Sequence, residues 1–382
     1  MDFGFSQEDE NFRTEVRAWL AANAKPGTDR RAWERTLGAA GWIGLGWPEA
    51  GYGNRTATLT QQVAWAEEYA RSPAPPRSGH IGENLLAPTL VSHGTEEQKS
   101  RFLPPIAAGE ELWCQGYSEP GAGSDLAGVR MAAVREGDGY RISGQKIWTS
   151  LAHEADWCFV LARTDPDSRR HHGLGFLLVP MDQPGRIEVR PIRQMTGTSD
   201  FNEVFFDGAY ARAEHLVGGE GQGWRVAMSL LGFERGVSTL AQQIGFAGEL
   251  AGVVRAAVET GAVRDPVVRE RLVRQWAELR TMRRHALRTL GGSADPGAPS
   301  VAKLLWAGWH QRLGELAMEV RGAAATAGPA DWSPSAPYEL GADQHLFLFS
   351  RADTIYGGSD QVQRTIIAER VLGLPREPKG AV

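Results

Sequence analysis

The feature that most limits the fold is a change of period in mid-chain. From about residue 113 to 222 the apolar residues stop recurring at helical spacing and fall into short runs cut by Gly, Asp and Pro. WCFVLART, LGFLLVP and NEVFFDGA read as strands, and Gly137, Asp138 and Gly139 between two alternating runs read as a hairpin turn. On both sides the spacing is helical. Phe12, Val16, Trp19 and Leu20 recur on one face, as do Val63, Ala64, Glu67 and Glu68, with mixed charge expected outside. Thr95 before Glu96 and Glu97 marks a capped helix that Pro104 and Pro105 are expected to close. Further on, helices are predicted from about Trp224 into the 250s, over 267–290 and over 299–322. After a Pro/Gly-rich break, a helical pair runs from Asp343 to Leu372. The order predicts an α+β chain in three parts: an N-terminal helical domain (1–112), a middle antiparallel β-barrel-like domain (113–222) and a C-terminal helical bundle (223–382).

Composition narrows the functions. A net charge of −5 argues against nucleic acid as the main partner. The two cysteines, Cys114 and Cys158, form no CxxC or Cys/His cluster, so zinc is not expected, and they read as reduced thiols rather than a disulfide. The start, MDFGFSQEDENFRTEV, lacks a basic stretch followed by an apolar run, and no apolar stretch approaches the roughly 20 residues of a membrane helix. A cytoplasmic protein is expected. His171 and His172, beside Arg169 and Arg170, read as solvated, and the charged stretch 269–288 as an exposed helix face.

Four motifs carry more. GYSEPGAGSDLAG (116–128) follows LPPIAAGEELWCQ, and GQKIWTS (144–150) follows in turn. NEVFFDGAYARAEHLVGGEGQGWRVA (202–227) and IYGGSDQVQRTIIAERVLGLP (355–375) complete the series. Together they resemble the acyl-CoA dehydrogenase family over nearly the whole chain, with the closing bundle one of four helices. The resemblance implies FAD-dependent oxidation of an acyl-CoA or acyl-carrier thioester to the trans-2-enoyl thioester. It also implies an electron-transfer flavoprotein or other acceptor, and a homo- or hetero-oligomer, dimer or tetramer.

That reaction removes a proton from the α-carbon of a thioester and a hydride from the β-carbon. It needs a carboxylate at the proton, donors at the developing enolate oxygen and a water-poor slot for the flavin. By resemblance, Gln115, Tyr117, Ser118 and Gly123 lie along the flavin, and Ser124 faces flavin or CoA phosphates. Trp148, Thr149 and Ser150 close the other side, while Ser359 and Gln361 lie just beyond. Small residues in such a run also let backbone N–H groups approach a ligand closely.

The family's terminal I-Y-E-G-T supplies the base in most members. Here the stretch is Ile355, Tyr356, Gly357, Gly358, Ser359, with no carboxylate. Isovaleryl- and long-chain acyl-CoA dehydrogenases instead carry the glutamate on the helix after the β domain, where MSLLGFERGVSTL places Glu234. The resemblance therefore implies Glu234 as base, Arg235 as a CoA contact and the Gly357 N–H as oxyanion donor, with Tyr356 beside the substrate. Two interface segments depart from the family. The R-x-x-F-G stretch is replaced by ETGAVRDPVVRERL, with Pro266 near the expected polar contact. The Q-x-x-G-G stretch is replaced by Glu319, Val320, Arg321, Gly322 and Ala323. Arg264 or Arg269 could serve instead, or unlike subunits could divide the contacts, as in actinobacterial members acting on steroid side chains. The other readings are an FAD-binding partner subunit with little activity alone, and a flavin oxidase or monooxygenase on the same fold.

Overall fold

The computed structural model describes residues 5–48, 51–233, 238–290, 296–327 and 340–376. These form two compact units, one holding 5–194 and 199–238, the other 195–198 and 239 onward.

The first unit opens with five helices: α1 (Gln7–Asn23), α2 (Arg30–Ala39), α3 (Leu59–Arg71), α4 (Ala87–His93) and α5 (Glu96–Ala107). Side-chain oxygens of Ser6, Asp29, Thr58 and Thr95 accept a backbone N–H in the first turn of α1, α2, α3 and α5, satisfying donors that a helix start leaves open. Val16, Leu20, Trp33, Leu37, Trp42 and Trp65 form the core between α1, α2 and α3, with Trp42 and Trp65 stacked at 4.6 Å. One local expectation changes. Pro104 and Pro105 lie inside α5, which runs on to Ala107, so they do not close it. Glu67 and Glu68, on the face of Val63 and Ala64, are buried with them, and Arg13 of α1 reaches both, at 2.7 and 3.1 Å. Charge pairing is what makes that burial affordable.

The strands follow as β1 (Trp113–Gly116), β2 (Ala132–Glu136), β3 (Gly139–Ser150), β4 (Trp157–Arg163), β5 (Leu174–Pro180), β6 (Ile187–Ile192), β7 (Phe201–Arg212) and β8 (Leu216–Val217). Their order is β6-β7-β3-β2-β4-β5-β8, with β1 added against β4. The β2–β3 turn is the expected hairpin, with Glu136 opposite Gly139 and Gly137 at φ 60°. The sheet is mixed: β1 runs parallel to β4, and β2 meets β4 in parallel through Ala132 and Arg163. It is open, ending at β6 and β8, and not a closed barrel.

Both faces of its centre are covered. Phe159, Leu161, Phe176 and Leu178 point into one core with α4, α5 and α6 (Gly223–Phe233), the last through Val226, Ala227 and Leu230. Cys158, Val160, Ala162, Leu177 and Val179 point into the other. Two-sided burial is why β4 and β5 read as continuous apolar runs. Cys114 and Cys158 are in register on β1 and β4, both buried and both free thiols.

The second unit is helical: α7 (Ser238–Thr260), α8 (Pro266–Leu290), α9 (Ala298–Arg321), α10 (Ala342–Phe349) and α11 (Asp360–Ile366). Phe246, Leu250, Leu279, Trp309, Leu313 and Leu346 share its core. The single helix expected from Trp224 into the 250s is described as α6 and α7, and residues 234–237 lie outside the described residues. Among the described residues, no helix is long and apolar enough to cross a membrane.

Gly109 joins α5 to the sheet at φ 67°, and a Cβ there would lie 2.2 Å from the Glu34 carbonyl oxygen. Gly109→Ala is expected to destabilise the first unit by about 2 kcal/mol or more, through overpacking and a left-handed backbone together. Chemical unfolding measures this, and an unchanged midpoint would contradict the close approach.

Candidate active site

The signature segment and β3 are tied at one buried ammonium. Lys146 is fully buried, and its Nζ donates to the Tyr117 carbonyl at 3.0 Å, the Glu119 carboxylate at 2.9 Å and the Leu161 carbonyl at 2.8 Å. Burial pushes the Lys146 ammonium below its ordinary range, against the pull of Glu119. The Glu119 oxygen that takes Lys146 also accepts the Met131 N–H, and the other oxygen accepts the Arg130 N–H. Glu119 and Ala122 exchange backbone hydrogen bonds of 3.0 Å, closing a tight turn over Pro120 and Gly121. The Ser118 carbonyl takes the Ile147 N–H at 3.0 Å. Tyr117 and Ser118 are therefore held beside the 146–150 segment, while Gln115 is held on β1 opposite Phe159 of β4.

Just beyond Lys146 the pairing of β3 with β7 slips, between Lys146 and Thr149. Trp148 sits in that slip at φ 60°, a left-handed conformation costly for a bulky residue, and its ring is 56% exposed. Thr149, next in line, is fully buried, and its hydroxyl finds no hydrogen-bond partner among the described residues. Asn202, which donates to the Thr149 carbonyl at 2.9 Å, leaves its own side-chain oxygen in the same state. Buried polar atoms without partners are rare in native proteins, and a bound water or ligand is one way they are completed. Ser150 is half-buried at the end of β3. Gly123 and Ser124 are exposed, and a Cβ at Gly121 or Gly123 would meet nothing within 4 Å. This backbone is open for close approach, and the partnerless hydroxyl and uncovered glycines suit the polar ring edge and phosphates of a flavin cofactor.

The terminal motif lies in the second unit. Gly357 and Gly358 follow one another at φ 62° and 83°, and the Gly357 carbonyl accepts from Gln363 at 3.2 Å. No described residue accepts the Gly357 N–H. The Ser359 hydroxyl caps α11 at the Val362 N–H, and Gln361 is exposed in its first turn. Tyr356 donates its hydroxyl to Asp353, whose other carboxylate oxygen lies 2.5 Å from His310 Nδ1. His310 Nε2 meets Glu249 at 2.8 Å. Lys303 donates to the Asp353 carbonyl and stands over the rings of Trp306 and Tyr356, at 3.9 and 4.8 Å. Burial works against charge on His310, but the Asp353 and Glu249 carboxylates raise it to about 9. Burial, then Asp353, pushes the Tyr356 hydroxyl upward. Glu234 and Arg235 lie outside the described residues.

Lys146, Glu249, Lys303, His310 and Asp353 were not singled out from the sequence, and the carboxylate role of Glu119 was missed. Lys146 is in phase with the inward residues Tyr140 and Ile142, and Lys303 and His310 with the buried Ala307 and Gly314 of α9. A charge on an inward phase was the available signal. Asp353 carried none.

Lys146→Met is expected to cost roughly 3–5 kcal/mol, since it leaves the Glu119 carboxylate buried without its cation. Equal denaturation midpoints for variant and wild type would contradict the knot. His310 gives a pH signature. Its folded value lies above the ordinary 6.5, so its contribution is full below about 6.5 and is lost as pH rises through about 9. The stability gap between wild type and His310→Phe is therefore expected to narrow from pH 6.5 to 9.5 in urea titrations. A constant gap would mean that the ring is not charged.

Models of the N-terminal, middle and C-terminal domains of acyl-CoA dehydrogenase match residues 6–110, 114–209 and 221–372. Acyl-CoA dehydrogenase IpdE1 of Mycobacterium tuberculosis is 54% identical, covering 98% of this chain and 100% of that protein. The protein of the same name from Mycolicibacterium smegmatis is 53% identical, covering 98% and 100%. Among solved structures, the ChsE4-ChsE5 complex from Mycobacterium tuberculosis is similar at a TM-score of 0.82 and 30% identity, covering 99% of this chain and 100% of that one. The Tcur3481-Tcur3483 steroid ACAD is similar at 0.83 and 29%, also covering 99% and 100%. With all three domain models matched in order, the chain belongs to the acyl-CoA dehydrogenase family of oxidoreductases, whose members are generally FAD-dependent.

Proposed function

We propose that this chain oxidises an acyl-CoA thioester to the trans-2-enoyl thioester, with Glu234 as the base. The observation that carries the reading is the Lys146 knot. It fixes the 117–119 segment beside an exposed, left-handed Trp148 and the partnerless Thr149 hydroxyl. Gln115, Tyr117, Ser118, Trp148, Thr149 and Ser150 would hold FAD, with Gly123 and Ser124 leaving room for phosphates and Ser359 and Gln361 lying beyond. When bound, FAD supplies a two-electron acceptor for the hydride of the β-carbon. Glu234 takes the α-proton, and the Gly357 N–H donates to the thioester oxygen as negative charge grows there. Arg235 and Ser124 contact CoA, and Tyr356 lines the acyl chain.

Gly357 bears on the choice of base. Its left-handed backbone disfavours any side chain, and a Cβ there would lie 3.8–3.9 Å from the end of Lys303. A carboxylate at 357 would face an ammonium, which holds a carboxylate's proton affinity low and makes it a poor base.

The substrate is a bulky acyl group, steroid-derived as in the similar steroid ACAD. Electrons leave to an electron-transfer flavoprotein. A hetero-oligomer with a related chain is the assembly. The two segments that depart from the family's interface motifs support it, because they are engaged within this chain: Pro266 opens α8, Arg321 pairs with Asp343 at 2.7 Å, and Glu319 pairs with Arg271.

The test is the visible spectrum of the purified protein, alone and co-expressed with a related chain, before and after anaerobic addition of an acyl-CoA panel. Flavin absorbance that bleaches with bulky acyl-CoAs supports the reading. Flavin that no thioester reduces, in either preparation, rejects it. Glu234→Gln is expected to lower turnover about 10²–10⁴-fold with flavin content unchanged, and adding Gly357→Glu is expected not to restore it. Normal turnover in Glu234→Gln would remove Glu234 from the mechanism.

A further inference from the structure

The second unit holds a chain of charged groups that the reaction described above does not use. It starts at Glu249 on α7, 41% exposed, and passes through His310 on α9, 6% exposed, to Asp353, 1% exposed. Asp353 then takes the Tyr356 hydroxyl, one residue before Gly357. A doubly protonated imidazole is the only form of His310 that can donate to both carboxylates, so the two contacts agree on its charge. Among the described residues, Lys303 is the further charged group at this chain, where it grips the Asp353 carbonyl. Aromatic rings flank the imidazole, with Phe246 at 4.4 Å and Trp309 at 6.2 Å.

We propose that Glu249, His310 and Asp353 are positioning residues that fix the Tyr356–Gly357 turn, and with it the direction of the Gly357 N–H. The proposal rests on the dehydrogenase reading for its catalytic consequence, though not for its structural one. Gly357 has little packing of its own, since a Cβ there would meet only the end of Lys303. After it the turn is held by Gln363, which donates to the carbonyls of Gly357 and Gly358 at 3.2 and 3.3 Å; before it the turn is held at Asp353. Asp353 supplies three anchors at one residue: a carboxylate oxygen to His310, another to Tyr356, and a carbonyl to Lys303. Backbone bonds carry that position forward, from the Ile355 and Tyr356 N–H groups to Ala352 and from the Asp360 N–H to Thr354. A buried ion pair is a poor source of stability compared with apolar packing of equal volume, but its hydrogen bonds fix orientation, which apolar contacts do not. A donor aimed at a developing oxyanion needs orientation.

The test uses the protein with its flavin, and with any partner chain that copurifies. Its first readout is amide hydrogen exchange of the 353–360 peptide without ligand. His310→Phe and Asp353→Asn are expected to speed exchange at Ile355, Tyr356 and Asp360 about tenfold or more, with α8 peptides unchanged. Unchanged exchange would overturn the proposal. The second readout is kinetic, on an acyl-CoA that bleaches the wild-type flavin. A fall in kcat of about tenfold or more with KM within about twofold is expected, because a misaimed donor is missed mainly in the transition state. Unchanged kcat, or equal losses in all variants that follow their melting temperatures, would reduce the chain to a structural role. Should His310→Phe not fold, the isosteric Asp353→Asn and the ring-preserving Tyr356→Phe carry both readouts. If no thioester bleaches the wild-type flavin, the dehydrogenase reading fails and the catalytic half of the proposal falls with it. The exchange result still decides whether the chain holds the turn.

Discussion

A lysine ammonium with no solvent exposure must have every donor satisfied, and that requirement organises the middle of this protein. Lys146 meets it by gathering three oxygens from two stretches: Tyr117 and Glu119 in the loop after β1, and Leu161 on β4. The loop would be free to drift if held only by apolar contact, and Leu161, fixed in the β4–β5 ladder, gives it a firm reference. Glu119 passes the constraint on, since its carboxylate also takes the N–H groups of Arg130 and Met131 at the approach to β2. The loop from 117 to 131 is thus suspended at both ends while Gly121, Gly123 and Ser124 stay uncovered. A stretch with so little side chain would otherwise collapse or fray. Here it keeps an open backbone, which a phosphate-bearing ligand needs.

The loss of a glutamate from the terminal motif goes together with a rebuilt turn. Gly357 and Gly358 both take left-handed backbone, and Lys303 stands where a longer side chain at 357 would reach. The charge that belongs to this corner is Asp353, four residues earlier, and it is spent on His310 and Tyr356. With both oxygens engaged and almost no exposure, Asp353 is badly placed to take a proton from carbon. This corner thus offers no ready base among the described residues, in keeping with the proposal that Glu234 serves, and the glycine keeps an N–H where a longer side chain would meet Lys303.

What could be read in the sequence followed from periodicity and caps. The helical–β–helical order, the Gly137–Asp138 hairpin turn and the Thr95 cap are local matters, and the structure has them. The gaps came from distant partners. Nothing near Glu67 and Glu68 in sequence announces Arg13, the partner over fifty residues away that their buried charges require. Pro104 and Pro105 looked like a stop, but both sit in the last turn of α5, where few further helical bonds are lost. The residues proposed for flavin came from motif resemblance, and Tyr117 and Ser118 are tied to β3 next to Trp148. Lys146 was passed over although it shares the inward phase of β3, because a charge in that phase reads as an exception rather than as an anchor. Asp353 and His310, separated by forty-three residues, have no pattern that joins them.

The same device appears a third time, in the helical part of the first unit. Arg77 bonds Glu34 at 2.9 Å and Glu83 at 2.7 Å. Glu83 takes the Gly44 N–H and Glu34 the Ser78 N–H. Burial opposes ionisation of Glu34, yet Arg77 holds it below the ordinary carboxylate range. In all three places a buried charge pair sits beside glycine-bearing backbone that is neither helix nor strand. Regular elements orient themselves through their own ladders, and apolar packing needs only to press them together. Irregular backbone has no ladder, and apolar contact cannot choose among its rotations. A charged hydrogen bond can, because its strength falls steeply with angle. Arg13 with Glu67 and Glu68 shows that a buried charge pair can also join two helices, but at these three places the desolvation cost of several kcal/mol for each such charge falls on irregular backbone, and at two of them that backbone carries residues proposed for flavin and thioester.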